Sequence, residues 1–269
     1  MTLNDTIKVE ARGPIEILSL NRPEALNALN PDMVAALNAY LGELHQRPEV
    51  RVVILRAEGR AFCAGLDIKE ARARRAGANE TQWMGPFGTQ SAIGNIYRKM
   101  RSAPQPIIAL GHGAACGGGF SLLLASDVRY GAPSLRMNAA YIKIGLTGCD
   151  MGSSYFLPRL VGASLASELI LTGRFIHADR ALALGLLSDV VEENKLLETS
   201  LALAEEMLLT SPNGLRLSKH ALNLNIDAPS LEAAMAIEDR QQTLLGGSPD
   251  AAEAMTAFVE KRAPVYRGV

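Results

Sequence analysis

The sequence has few cysteines, no long apolar run and no excess of charge of either sign. Each scarcity closes off a class of protein. Three cysteines, Cys63, Cys116 and Cys149, occur in 269 residues, without the spacing of a disulfide framework or a metal site. That pattern favours a reducing compartment. No apolar stretch reaches the ~18–20 residues of a membrane span. The polar start, Met1 to Thr6, lacks the charged-then-apolar form of a secretory leader. The formal net charge of −1 argues against nucleic acid or an anionic membrane as the main partner. An anionic ligand must therefore be held by local groups. No segment is of low complexity, and no strict repeat occurs. The expectation is a soluble, cytoplasmic protein of one large domain or two unequal ones.

What is present is apolar content, 48% of residues, enough for a sizeable core. Ile7-Lys8-Val9-Glu10 and Ile15 to Leu20 alternate around Arg12-Gly13-Pro14 and predict an antiparallel hairpin. Asn30-Pro31-Asp32 is a helix start, with Asn as N-cap and Pro in the first turn. Arg51 to Arg56 reads as a buried strand, and Asp67 to Glu70 opens a helix. Arg72 to Gly77 is charged and reads as a mobile connection. Thr81 to Arg101 is a long helix candidate, with its course at Gly85-Pro86 left open. Short strands are expected at Asp127 to Tyr130 and Leu135 to Asn138. An irregular segment follows from Gly145 to Gly152, then a helix from Ser153 to about Leu160. Past Gly173 the pattern is helical, apart from a strand at Leu187 to Val191. Alternation of strands and helices implies a mostly parallel sheet with helices outside it. We therefore expect an α/β part over residues 1–190 and a helical part over 191–269.

The stretch from His112 to Asp127 organises the chain. An apolar strand, Pro106 to Leu110, runs into it, and an apolar helical run, Phe120 to Ala125, leaves it. Gly117, Gly118 and Gly119 remove every Cβ at the junction, so a ligand can come close to the backbone. The free N–H groups of a first helical turn carry partial positive charge. They can hold a phosphate or the oxygen of a reacting carbonyl. The simpler alternative is a tight, closely packed turn. The glycines do not match the phosphate loop that ends in Gly-Lys-Ser/Thr, which excludes that type of nucleotide triphosphatase. A second loop, Arg60 to Asp67, also runs from a strand through a glycine into a helix start. If the two loops meet, their N–H groups make an oxyanion hole.

Four motifs carry a resemblance. They are Asn21-Arg22-Pro23-Glu24-Ala25-Leu26-Asn27-Ala28-Leu29, Arg60-Ala61-Phe62-Cys63-Ala64-Gly65-Leu66-Asp67-Ile68, Gly117-Gly118-Gly119 and Met255 to Arg262. In order and spacing they resemble the crotonase (enoyl-CoA hydratase/isomerase) superfamily over nearly the whole chain. The resemblance implies an α/β fold, the ClpP-like spiral of ββα units, with a helical C-terminal trimerisation region. It implies a homo-oligomer, a trimer or a dimer of trimers. The implied substrate is an acyl-CoA thioester, with no cofactor beyond the CoA it carries. The thioester carbonyl would accept hydrogen bonds from the N–H groups of Leu66 and Gly118. Ala25, Leu26, Ala64, Asp67 and Ile68 would line the CoA site, and Lys261 of the last helix would reach CoA. A solvated lysine is the alternative for Lys261. Such a hole suits any reaction that passes through a thioester enolate, whose oxygen needs fixed donors in a dry site.

The side chains above the hole depart from the hydratase pattern. Hydratases of this family place two glutamates where this sequence has Ser121 and Tyr141. Neither can serve as a carboxylate base. Ser121, three residues after Gly118, shares its helix face and either binds a water or caps the turn. Tyr141 shapes the acyl pocket. One carboxylate remains, Asp150. It is either a cap for the helix near Gly152 or the working group. The segment Asp150 to Arg159 is similar to the catalytic-Asp segments of dienoyl-CoA isomerases and of the ring-epoxide CoA isomerase of phenylacetate breakdown. It also resembles the nucleophilic-Asp segment of a chlorobenzoyl-CoA dehalogenase. One carboxylate favours double-bond isomerisation over hydration, because hydration must both activate water and protonate carbon. The alternatives are dehalogenation or hydrolysis through Asp150, and non-catalytic acyl-CoA binding. Asp127 reads as structural, His112 could be a base but stands at a strand end without an identifiable partner, and Cys63 and Cys116 flank the hole without a histidine partner.

Overall fold

The computed structural model describes residues 4–76 and 84–268. Strands β1 (Ile7–Arg12) and β2 (Ile15–Leu20) form the expected hairpin. Its turn contains Gly13 at φ +60°, a value that suits glycine. Helix α1 (Pro31–Glu43) starts as anticipated, with the Asn30 side chain accepting from the Met33 N–H at 3.0 Å. Strand β3 (Val52–Ala57) lies parallel to β2. Helix α2 (Ile68–Ala76) opens behind Asp67. It carries residues 72–76, so that segment is helical rather than a mobile connection; Gly77 lies outside the described residues.

Helix α3 (Met84–Ser102) runs without interruption through Gly85-Pro86, because proline is tolerated in a first turn. The anticipated positions 81–83 lie outside the described residues. Next come β4 (Ile107–Gly111), β5 (Ala114–Cys116), α4 (Gly118–Ala125), β6 (Val128–Gly131) and β7 (Arg136–Asn138). Helix α4 begins at Gly118, earlier than the apolar run alone suggests. Helices α5 (Ser153–Val161) and α6 (Ala163–Thr172) follow, the second unforeseen. Then come β8 (Ile176–His177), α7 (Ala178–Ala183) and β9 (Asp189–Val190). The chain finishes with α8 (Leu196–Leu208), α9 (Pro212–Asn225), α10 (Leu231–Gly246) and α11 (Pro249–Glu260).

The main sheet has the order β1-β2-β3-β4-β6-β9, antiparallel only at β1–β2. Alternation along β3 divides the core. Val53 and Leu55 join the cluster under α1, α3 and α4. Val52 and Ile54 join Leu196 and Ala204 of α8 on the other face. A small sheet, β5-β7-β8, stands beside the main one.

Helix α9 is fastened to the core by a buried cation. Lys219 Nζ donates to the carbonyls of Met100 at 3.0 Å and Gln105 at 2.8 Å, and pairs with Asp127 at 2.8 Å. Burial pulls the Lys219 pKa down, while Asp127 opposes that pull. Asp127 also accepts from the Ile107 N–H at 2.8 Å and from Arg101 at 3.1 Å, the structural use the sequence suggested. Helices α10 and α11 expose large apolar side chains, among them Leu231, Leu244, Met255, Phe258 and Val259.

Candidate active site

The backbone brings the two glycine-bearing loops together. The Cys63 N–H donates to Ala114 O at 3.0 Å, and the Cys116 N–H donates to Cys63 O at 2.9 Å. This parallel bridge lays the first loop on β5. The neighbouring donors are committed. Leu29 N–H donates to Gly65 O at 2.7 Å and Asp67 N–H to Leu29 O at 3.0 Å, passing over Leu66. Gly117 N–H donates to Asn138 O at 2.9 Å and Ser121 N–H to Gly117 O at 3.0 Å, passing over Gly118. Among the described residues the N–H groups of Leu66 and Gly118 have no hydrogen-bond partner.

Packing requires the glycines here. A Cβ on Gly65 would lie 2.8 Å from Cys116 O and 3.6 Å from Gly118 N. A Cβ on Gly119 would lie 2.2 Å from Cys63 O. Gly65 at φ +92° and Gly117 at φ +50° hold conformations that other residues rarely adopt. The two unpaired N–H groups thus belong to loops packed against each other, a Cβ on Gly65 falling 3.6 Å from Gly118 N, and a pair of such donors can receive an oxyanion if both face one point. Cys63 is buried there, its thiol pushed up to about 12 by burial, so it is protonated and inert as a nucleophile.

The other predicted binding residues sit around these two loops. Leu26, at φ +52°, follows a single 3-10 turn over Pro23–Ala25. Its carbonyl accepts from the Ala64 N–H at 2.9 Å, which joins Ala25 and Leu26 to the first loop. Buried Asn27 staples the same turn down, donating to the carbonyls of Glu58 and Ala61, each at 2.8 Å. The Asp67 carboxylate caps α2 through the Glu70 N–H at 3.1 Å and pairs with Arg22 at 3.1 Å. Those bonds, the Glu70 N–H foremost, hold its pKa below the usual carboxylate range. Leu66 and Ile68 remain exposed beside the hole.

Ser121 and Tyr141 are brought together, but with each other. Their hydroxyls are hydrogen-bonded at 2.7 Å, and Ser121 has no exposed surface. The Tyr141 ring backs Gly117, where a Cβ would stand 3.2 Å away. Burial raises the Tyr141 phenol well above its ordinary range. Lys261 is exposed at the end of α11 in a left-handed conformation. His112 donates from Nε2 to Gly59 O at 2.8 Å and is buried there, a structural placement.

Asp150 stands on the wall of a cavity of about 1380 Å³ between α3, α5, α9 and α10. Gln90, Tyr97, Met151, Phe156 and Leu245 share that wall. Helix α5 is capped by Gly152 without any side-chain hydrogen bond, so Asp150 is not its N-cap. Instead Asp150 Oδ1 accepts from Gln90 Nε2 at 2.5 Å and from the Met151 N–H at 2.7 Å. Partial burial raises its pKa, and those two donors oppose the rise.

Tyr97 links the two sides of the site. Its hydroxyl lies 3.0 Å from Gly118 O and 3.1 Å from Met151 Sδ, between the hole and the Asp150 segment. A Cβ on Gly118 would meet this hydroxyl at 3.0 Å and Met151 Sδ at 3.2 Å. Sequence reasoning missed Gln90 and Tyr97. Their separation of seven residues places both on one face of α3, and that spacing was the available signal.

Residues 10–269 match the sequence family described as enoyl-CoA hydratase/isomerase. The chain is 37% identical over 256 residues to a Mycobacterium bovis protein named "probable enoyl-CoA hydratase echA12", covering 95% of this chain and 90% of the relative. It is 32% identical over 251 residues to the 1,2-epoxyphenylacetyl-CoA isomerase of Escherichia coli, covering 93% and 94% respectively. The crystal structure of an enoyl-CoA hydratase from Bacillus anthracis superposes with a TM-score of 0.90 at 34% identity. That likeness covers 98% of this chain and all of the other.

Proposed function

The chain belongs to the enoyl-CoA hydratase/isomerase family of enzymes, and from that premise we propose that it shifts the double bond of an unsaturated acyl-CoA, with Asp150 as its single proton carrier. One observation carries this reading. Among the described residues Asp150 is the only carboxylate on the cavity wall, and its neighbour Met151 shares the Tyr97 hydroxyl with Gly118 O.

In the proposed reaction the thioester oxygen accepts hydrogen bonds from the N–H groups of Leu66 and Gly118. The Asp150 carboxylate removes a proton from the carbon chain, and the electron pair moves through the double bond onto the thioester oxygen. The enolate collapses when Asp150 returns that proton to a carbon two positions away. One proton leaves and one arrives, so no cofactor is needed. Burial keeps the carboxyl above its ordinary pKa, which suits a group that must both take and give a proton. Hydration asks for a second acid–base group, and Ser121 and Tyr141 supply no carboxylate.

In this reading Ala25, Leu26, Ala64 and Ile68 line the CoA path, with Asp67 fixing the loop beneath it. Lys261 reaches CoA from the last helix. Ser121 and Tyr141 support the acyl pocket from behind. Residues 1–190 carry the hole and Asp150, while α9 and α10 complete the cavity wall. Residues 191–269 form the oligomerisation region of a trimer or a dimer of trimers, whose interface would cover the apolar side chains of α10 and α11. The scarcity of cysteine supports a cytoplasmic setting.

The test is to assay isomerisation and hydration of 2-enoyl-, 3-enoyl- and dienoyl-CoA with the wild-type enzyme and Asp150→Asn. Isomerisation should fall by about 10²–10⁴-fold in the variant. Undiminished turnover would remove Asp150 from the mechanism.

A further inference from the structure

We propose that Gln90 is a positioning residue: its side-chain amide holds one oxygen of Asp150 so that only the other exchanges protons with substrate. The inference rests on Asp150 being the proton carrier.

Both donors fall on one oxygen. Gln90 Nε2 approaches Asp150 Oδ1 at 2.5 Å and the Met151 N–H approaches the same atom at 2.7 Å. Oδ2 has no hydrogen-bond partner among the described residues. Two N–H bonds lower the basicity of Oδ1 and fix the plane of the carboxylate. The proton therefore goes to Oδ2. An amide suits this task because it donates firmly and never titrates, so it does not compete for the travelling proton.

The hold on Asp150 comes from outside its own segment. Its backbone neighbour Met151 sits at φ +50°, a strained value for a residue with a side chain. Met151 is pinned in turn by the Tyr97 hydroxyl on its sulfur. Gln90 and Tyr97 thus fasten Asp150 and the next residue from one face of α3. Without Gln90 the carboxylate would keep a single hydrogen bond, from the backbone N–H of the strained Met151.

Other charges also bear on Asp150. The phenols of Tyr97 and Tyr141 are coupled to it, and burial keeps both protonated. Arg98 and Arg101 of α3, Arg216, Lys219 and His220 of α9, and His45 line the same cavity. All of these persist when Gln90 alone is changed, so a difference between wild type and variant isolates Gln90.

Gln90→Met keeps the length and removes the donor. Gln90→Glu replaces the donor by a second carboxyl. The Asp150 carboxyl is followed by ¹³C NMR titration and identified by its absence in Asp150→Asn. It should titrate about one pH unit higher in Gln90→Met. The rise should be larger in Gln90→Glu, where two carboxyls share a proton. The kcat for isomerisation should fall about tenfold in Gln90→Met, with KM nearly unchanged, because orientation is lost rather than binding. An Asp150 titration unmoved in both variants overturns the inference, and so does an unchanged kcat. If Asp150→Asn is inactive while the titration stays put, Gln90 alone is at fault. If Asp150→Asn turns over normally, the functional reading falls and takes the positioning role with it.

Discussion

The two sides of this site are built by opposite means. The hole is made of backbone. Its donors are peptide N–H groups, its shape is set by the bridge between Cys63 and Ala115, and its glycines are those whose Cβ has no room. The side proposed to carry the proton is made of side chains, with Asp150 on an irregular segment held by Gln90 from a distant helix. A backbone receptor cannot be edited without disturbing the strands that form it. A carboxylate on a loop can be exchanged with little effect on the fold. In the proposed reaction the hole would therefore fix the kind of intermediate, and the side chains would decide what is done with it.

The comparison can be broken most directly at Gly119. In Gly119→Ala the new methyl would fall 2.2 Å from the Cys63 carbonyl, an atom that cannot move without opening the bridge. Turnover should fall by about 10³-fold or more and the Tm should fall with it. A Gly119→Ala protein with wild-type Tm would show that the backbone side is not rigid.

Gly118→Ala should be milder. Its methyl would meet side-chain atoms of Leu29, Tyr97 and Met151, at 2.7, 3.0 and 3.2 Å, which can give way. We expect a loss of about 10²-fold in kcat with the fold retained, read by stopped-flow isomerisation beside a thermal melt.

The smallest expected effect concerns pH. Burial raises the folded-state pKa of Asp150 above its unfolded value, so folding disfavours the ionised form. Wild type carries that penalty above the folded pKa. It loses the penalty as pH falls below the unfolded pKa, where the carboxyl is neutral in both states. Asp150→Asn never carries it. The variant should melt slightly above wild type at neutral pH, and the gap should close in acid. A lower Tm for Asp150→Asn at neutral pH would make the carboxylate a structural group and erase the contrast between the two sides.

The backbone side was also the legible side. Glycine runs, N-caps and β-branched strands are local signals, so the hairpin, α1, the buried strands and the convergence of the two loops could be anticipated. Helix α4 starts at Gly118 because tertiary space, not propensity, decides there; glycine is a poor helix former, and the closeness of Leu29, Tyr97 and Met151 at Gly118 and of Cys63 at Gly119 calls for it. Strands of two or three residues, such as β5 and β8, are too short for alternation to register. The pairing of Ser121 with Tyr141 and of Gln90 with Asp150 joins residues 20 and 60 positions apart. No local pattern encodes such a pair, so the support of the reacting carboxylate was invisible until the chain was folded.

Lys219 adds a matter of timing. Its carbonyl partners, on Gln105 and Met100, precede it by 114 and 119 positions. At a synthesis rate of ~5–20 residues per second, they wait on the order of ten seconds for it to emerge. The strands, both glycine loops and Asp150 leave the ribosome before α9 is made. The nascent protein therefore holds every part of the proposed oxyanion hole while α9 and α10, which wall the cavity beside Asp150, are still untranslated, and the contact of Lys219 with Asp127 sets only the first of those two walls.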